Sequence, residues 1–340
     1  MTAFSALGSG NLGVWTRSEA LACTSRHVVR RLLETGLWQV VFPGVYADGG
    51  YVLAPEQRAV AAVLASGGGG QPFAVGRPRS DGSHAMLLRA VACGRTAARV
   101  WQLPLVDDDD PATGATERLL HDVHSRAGLG VRRGPGSTIG RQRDELRRHR
   151  LRLDRADFVR RPSGLWITTP LRTAWDCAGL LTAEATVCLL DDGLRRGLFS
   201  VDDLHRTLAE RRGIPGSRRF DDAVARSDGR SESAAETLAR LLLLPVLPGL
   251  VPQVSLRAPD GRVVARFDLG DEHARLAVDM DGKRGHAGEA MVAKDRRRDR
   301  GTEPYGWRTE RGTWFEVRCR QQEFVSRVVA QHALWSRRSA

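Results

Sequence analysis

Three observations predict an α/β protein, α+β overall, in three parts. Between residues 14 and 47 a short helix, a turn, a basic helix and two alternating apolar strands follow one another. From about 84 to 225 the apolar spacing is mostly helical. After 226 the rhythm changes to an order of α-β-β-β-α-β-α. The expected organisation is a winged helix-turn-helix over 1–60, a mainly helical middle region over 61–225 and an α/β domain over 226–340.

A chain of 340 residues is too long for one small core, which agrees with several domains. Fifty-two basic against forty acidic residues leave a formal charge of +12. Such an excess favours a polyanionic partner, nucleic acid before an acidic membrane surface. Lys283 and Lys294 are the only lysines, so the basic charge is nearly all arginine. A GC-rich coding bias explains arginine over lysine but not the excess itself. The five cysteines (Cys23, Cys93, Cys177, Cys188 and Cys319) never form a C-x-x-C pair, which argues against a zinc site or a disulfide framework. No N-terminal signal pattern is present, and the apolar run LARLLLLPVLPGLV is broken by two prolines. A cytoplasmic protein with no membrane partner and no small-molecule cofactor is expected.

In the first part, Thr16 caps a helix through Ala22, with Glu19 completing a capping box. Ser25 caps a second helix over Arg26–Thr35, and Gly36 stops it. Val28, Val29, Leu32 and Leu33 form its apolar stripe, while Arg26, His27, Arg30 and Arg31 lie largely on the free side. WQVVFPGVYA then alternates, turns at Pro43-Gly44 and alternates again, as a small wing would. In a winged helix-turn-helix the second helix enters the major groove and the wing lies along the backbone. Arg17, Ser25, Arg26, His27, Arg30 and Arg31 are therefore the candidate DNA contacts; the competing interpretation is a helical hairpin with a solvated basic face.

The Gly- and Pro-rich stretch 66–83 reads as a flexible loop, and the run Asp107–Asp110 as a solvated turn. Thr169 and Pro170 open one helix, and Ser200 with Asp203 opens another. Asp176, Asp191 and Asp192 sit near Arg172, Arg195 and Arg196, where ion pairing explains them better than catalysis.

In the last part, Ser233–Leu244 is an apolar helix carrying one acid, Glu236. Strands follow at LVPQVSLRA, VVARFDL and RLAVDMD, then a charged helix over about 289–302, a strand in EPYGWRTERGTWFEV and a helix over Gln321–Ser336. Val264, Arg266 and Asp268 share one strand face; Ala277, Asp279 and Asp281 share another. If residue 268 pairs with 277, both sets face the same side and Asp268 and Asp279 become diagonal neighbours. A slip of one residue would turn Asp268 away. Carboxylates held that close repel unless a cation or proton lies between them, and hard oxygen ligands suit Mg²⁺ or Mn²⁺.

An acid on a helix, an acid ending one strand and an acid-x-acid on the next resemble the PD-(D/E)XK nuclease superfamily. The string VDMDG…H, with ARFDLG before it and RRRDRGTEPYGWR after it, is similar to a family of unknown function related to very-short-patch-repair endonucleases, over about 228–337. The N-terminal unit resembles the winged-helix domain of AbiEi-type antitoxins of type IV toxin–antitoxin systems, and RTAARVWQLPL and TTPLRTAWD resemble the same combined family. The resemblance implies a restriction-endonuclease-like αβββαβ fold in the last part. It implies catalytic roles for Glu236, Asp268 and Asp279, which would also hold the metal. Asp281 takes the position where many members carry lysine, and Asp279 stands where the pattern has Glu. His286 matches a downstream His suited to general-base work or to assisting the leaving group, and Lys283, or Lys294 on the following helix, could supply the missing charge. Cys93-Gly94 replaces the Ser-His of relatives.

Two functions follow as expectations. One is a DNA-binding protein with a metal-dependent endonuclease domain. The other is a transcriptional regulator or antitoxin-like protein whose nuclease-fold domain is catalytically silent, with a cognate toxin or self-association as further partner. An RNA-directed nuclease is the weaker third, because stacking motifs are missing.

Overall fold

The computed structural model describes residues 11–67, 73–75, 85–87, 89–108, 120–125, 130–133, 145–281 and 301–339. The chain forms two compact units that divide between Leu181 and Thr182, rather than near 60 and 226.

The first unit opens with β1 (Val14–Thr16), α1 (Arg17–Cys23), α2 (Arg26–Glu34), β2 (Trp38–Phe42) and β3 (Val45–Asp48). The caps lie where the sequence places them. Glu19 N–H donates to Thr16 Oγ1 while the Glu19 carboxylate accepts from Thr16 N–H, and Val28 N–H donates to Ser25 Oγ. Gly36 follows α2 at φ +71°. The three strands form an antiparallel sheet in the order β1-β3-β2. Trp15 and Trp38 meet edge-on at 4.8 Å, Tyr46 stacks on Trp38, and Ala20 and Val29 fill the space beneath the helices.

Next come α3 (Pro55–Ala65), β4 (Phe73–Val75), β5 (Ala85–Leu87), β6 (Ala90–Ala92), α4 (Gly94–Val100), β7 (Leu120–Ser125), β8 (Gly130–Arg133), β9 (Glu145–His149), β10 (Phe158–Arg160), β11 (Trp166–Thr168) and α5 (Pro170–Ala178). The tip of the loop expected over 66–83 lies outside the described residues. The expectation of a mainly helical middle region fails as far as Thr168, up to which the chain builds a six-stranded mixed sheet in the order β10-β11-β6-β7-β9-β8. Its inner strands are short; β6 is buried throughout and β7 at all but its first residue, so neither shows the exposed–buried alternation that marks a half-buried strand. Val41, Phe42, Val60, Val63, Val123, Leu146 and Ile167 share one apolar core.

Charge is buried in this unit as well. Asp122, fully enclosed, accepts from His149 Nε2 at 2.7 Å and from the backbone N–H of Arg95 at 3.1 Å. Burial pushes its carboxyl up, but His149 and Arg95 pull it further down, to a net position below the usual range. Asp108 is no solvated turn residue; the residue is half-buried and its carboxylate pairs with Arg95 and Arg99. Arg172 bridges Asp157 at 2.6 Å and Asp176 at 2.8 Å, the latter pair as the sequence suggests.

The second unit holds α6 (Ala183–Arg195), α7 (Val201–Glu210), α8 (Ser217–Arg226), α9 (Ala234–Leu243), β12 (Val251–Arg257), β13 (Val263–Asp271), β14 (Leu276–Asp281), β15 (Arg308–Thr313), α10 (Trp314–Cys319) and α11 (Gln321–Ser339). The sheet order is β12-β13-β14-β15, antiparallel except for the parallel pair β14–β15. The strand expected across EPYGWRTERGTWFEV is confined to β15. Thr313 forms a capping box with Glu316 and starts α10 at once. Most of the charged helix expected over 289–302 lies outside the described residues.

Asp192 pairs with Arg195 and Arg196, as anticipated, whereas Asp191 turns inward. It accepts from the backbone N–H groups of Asp228 and Gly229 at 2.8 and 3.2 Å, and from Thr237 Oγ1 and Arg240 Nη2 at 2.9 Å each. The polar stretch after 226 is thus bracketed to α6 and α9. Asp191→Ala leaves the Arg240 guanidinium enclosed without its anion, which costs on the order of 3–5 kcal/mol. Urea denaturation checks this; a loss below about 1 kcal/mol contradicts the bracket.

Candidate acidic site and cationic helix face

The position of the acids follows from strand register. β13 and β14 pair Leu269 with Val278, Gly270 with Ala277 and Asp271 with Leu276. The register is two residues away from the one assumed in the sequence, so the parity and the shared face are retained. Asp268 comes directly opposite Asp279 instead of diagonal to it. The ladder's last pair is Leu269–Val278, and beyond it side chains replace backbone partners. Asp268 N–H donates to Asp279 Oδ1 at 3.1 Å, and Met280 N–H donates to Asp268 Oδ2 at 2.7 Å. The two carboxylates therefore brace the strands where regular pairing stops.

Glu236 comes from the first turn of α9, beneath its cap Ser233, and is buried. Its Oε2 accepts from Glu232 N–H at 2.7 Å and from Gln253 Nε2 at 3.0 Å. Burial pushes its carboxyl up, and the charge on Asp268 pushes it further; the bonds from Glu232 and Ser233 pull back without cancelling the rise. Glu236 and Asp268 are thus close enough to repel. Asp279 is buried, whereas Asp281 ends β14 exposed and level with Thr313 of β15. Lys283, His286 and Lys294 lie outside the described residues.

The donor chemistry is that of hard oxygen ligands, which suits Mg²⁺ or Mn²⁺. Among the described residues no group of three or more His, Cys, Asp or Glu side chains is placed to hold a metal ion. Asp268 and Asp279 each commit one oxygen to a backbone N–H, and Glu236 commits one to two donors.

Gln253 is the residue that sequence reasoning missed. The pairs Pro252–Leu269 and Val254–Phe267 bracket it, which sets it opposite Asp268. It lies in the left-handed region at φ +59°, a conformation that costs a non-glycine residue roughly 1–2 kcal/mol. One signal was available: a lone amide side chain between Pro252 and Val254, on the strand face opposite the buried apolar positions.

In the first unit, Arg17, Ser25, Arg26, His27, Arg30 and Arg31 are all exposed. The Ser25 hydroxyl is used as a cap, and Arg30 pairs with Glu34 at 2.7 Å on the open surface. From Trp38 to Asp48 there is no Arg or Lys, so the positive face belongs to the helices and not to the strand turn. That turn is held by Arg17 N–H donating to Gly44 C=O at 2.8 Å. Among the described residues no helix is long and apolar enough to cross a membrane.

No protein-family model matches the chain, and no solved structure matches it significantly. Two curated relatives, uncharacterised proteins of Mycobacterium tuberculosis strains CDC 1551 and H37Rv, are each 31% identical over 152 residues. The match covers 44% of this chain and 55% of each relative, so the chain spans about half the length of the curated relatives it matches.

Glu236 sets a pH dependence. A carboxyl whose folded pKa is raised contributes stability below its unfolded pKa and loses it as pH rises through the folded value. In metal-free buffer the stability of the native chain relative to Glu236→Gln therefore declines as pH rises above about 4, the unfolded carboxyl value. Thermal unfolding of the two proteins measures the difference; a gap that stays constant with pH contradicts the assignment.

Proposed function

We propose that the chain is a DNA-binding protein whose second unit is a metal-dependent phosphodiesterase of the PD-(D/E)XK kind. The observation that carries this is the convergence of Asp268 and Asp279, opposite each other where their ladder ends, with the Glu236 carboxylate near enough to repel Asp268. The order of helix, three antiparallel strands and a fourth parallel strand supports a restriction-endonuclease-like fold. The N-terminal helices and three-stranded sheet support a winged helix-turn-helix, with Arg17, Arg26, Arg30 and Arg31 facing the phosphates.

Asp268 and Asp279 would hold Mg²⁺ or Mn²⁺, with Glu236 beside them. Such an ion, when bound, lowers the pKa of its water and offsets charge building on a phosphate. The chain's own contribution is to hold the two strand carboxylates rigidly through backbone amides. The positive field of the protein draws the polyanion towards the buried acids.

A second function is supported by the same bonds. Each acid already serves the fold, and among the described residues no three His, Cys, Asp or Glu side chains are placed to hold a metal ion. In that case the unit is a silent scaffold in a DNA-binding regulator of antitoxin type, partnered by a cognate toxin or by a second copy.

Supercoiled plasmid incubated with Mg²⁺ or Mn²⁺ is expected to be cut. Asp268→Ala and Asp279→Ala are each expected to slow cutting by about a hundredfold or more, the scale on which single electrostatic contributors act. Cutting that survives both changes removes the acids from the reaction, and no cutting with no metal heat in calorimetry favours the silent scaffold. For the N-terminal unit, Arg26→Ala combined with Arg30→Ala weakens DNA binding and lowers the slope of log K against log salt by about one per lost phosphate contact. An unchanged slope in a fluorescence-anisotropy titration retires the helix face as the contact.

A further inference from the structure

Gln253 combines three properties that stability alone does not explain. It is a non-glycine residue in the left-handed region inside a strand, where glycine would fit without strain. Its Nε2 donates to Glu236 Oε2 at 3.0 Å. Its Oε1 is enclosed and has no hydrogen-bond partner. A buried carbonyl oxygen left without a donor carries a desolvation penalty, and here it adds to the strain of the backbone. Both costs fall at the register position opposite Asp268, beside a carboxyl raised by burial and by its acidic neighbour.

The group around Gln253 is rich in acceptors. Glu236, Asp268 and Asp279 bring carboxylates, and the amide brings one more oxygen. An amide carbonyl is an accepted ligand for a hard divalent cation and an acceptor for its coordinated water. The amide N–H on the same side chain fixes the Glu236 carboxylate, so a single residue both orients an acid and offers an oxygen.

We propose that Gln253 is a positioning residue of the acidic site, holding Glu236 through Nε2 and presenting Oε1 to a divalent cation or to the water that the cation carries. This rests on the phosphodiesterase site proposed above. The left-handed backbone is then retained because it turns the amide onto the acids.

The test uses the full chain, with Mg²⁺ and Mn²⁺ alone as probes, in calorimetry and in thermal unfolding with and without metal. Gln253→Gly relieves the backbone and deletes the enclosed oxygen, so the metal-free protein is expected to melt no lower than the native chain. Its Mn²⁺ affinity is expected to fall by about tenfold, the scale on which partners that orient a metal ligand act. Gln253→Asn keeps an amide on a residue that tolerates the left-handed region but withdraws it by one methylene, and is expected to lose affinity similarly. Native-like Mn²⁺ affinity in both variants overturns the role of Gln253 while leaving the acidic site standing. A native chain that gives no Mn²⁺ or Mg²⁺ heat and no thermal shift overturns the metal site and this inference with it. A metal-free Gln253→Gly protein that melts well below the native chain, with affinity unchanged, assigns Gln253 to folding alone.

Discussion

The pairing of β13 with β14 is the constraint on which the candidate site depends. Because strand side chains alternate with a period of two, the pair Leu269–Val278 commits Asp268 and Asp279 to one face and to one level. Once they are there, two carboxylates occupy a place where the ladder would otherwise continue. Each resolves this by accepting an amide N–H from the facing strand. Glu236 arrives from α9, and burial together with the charge on Asp268 raises its carboxyl. The exposed Asp281 is two residues further on, where β14 ends.

Elsewhere the chain uses arginine as an internal tie. Arg172 joins Asp157 to Asp176, Arg95 joins Asp108 to Asp122, and Arg240 closes on Asp191, all with little solvent access. The planar guanidinium suits this because one group can satisfy two carboxylates or a carboxylate and a carbonyl. Arg95, for instance, also donates to Leu180 C=O at 2.6 Å. Among the described residues, then, some arginines are neutralised in buried ties and others stand on an exposed helix face. The exposed share, Arg17, Arg26, Arg30 and Arg31 among them, is the one available to a polyanion.

Local chemistry was the most legible part of the sequence. Thr16, Ser25, Thr169 and Ser200 all cap the helices they were expected to open, because a cap is decided within four residues. The strands holding Asp268 and Asp279 were legible from alternation, and parity alone brought the acids to one face. What was hidden depended on distant partners. The six-stranded sheet is assembled from three- to six-residue strands too short or too buried to show a period. Asp191 read as a helix-surface acid because Arg240 lies forty-nine residues away. Gln253 was silent because its meaning is a backbone angle and a contact with a helix, neither of which leaves a pattern along the chain.

The amide bonds to Asp268 and Asp279 have an evolutionary consequence. A carboxylate that only holds a metal is free to drift once cleavage ceases to matter. One that also fastens two strands stays under selection for folding, since replacing it leaves an amide N–H near the end of a ladder without its acceptor. Descendants of such a protein that have abandoned chemistry would still display both aspartates. A surviving pair of acids would then mark the strand junction first, whatever had become of any chemistry there.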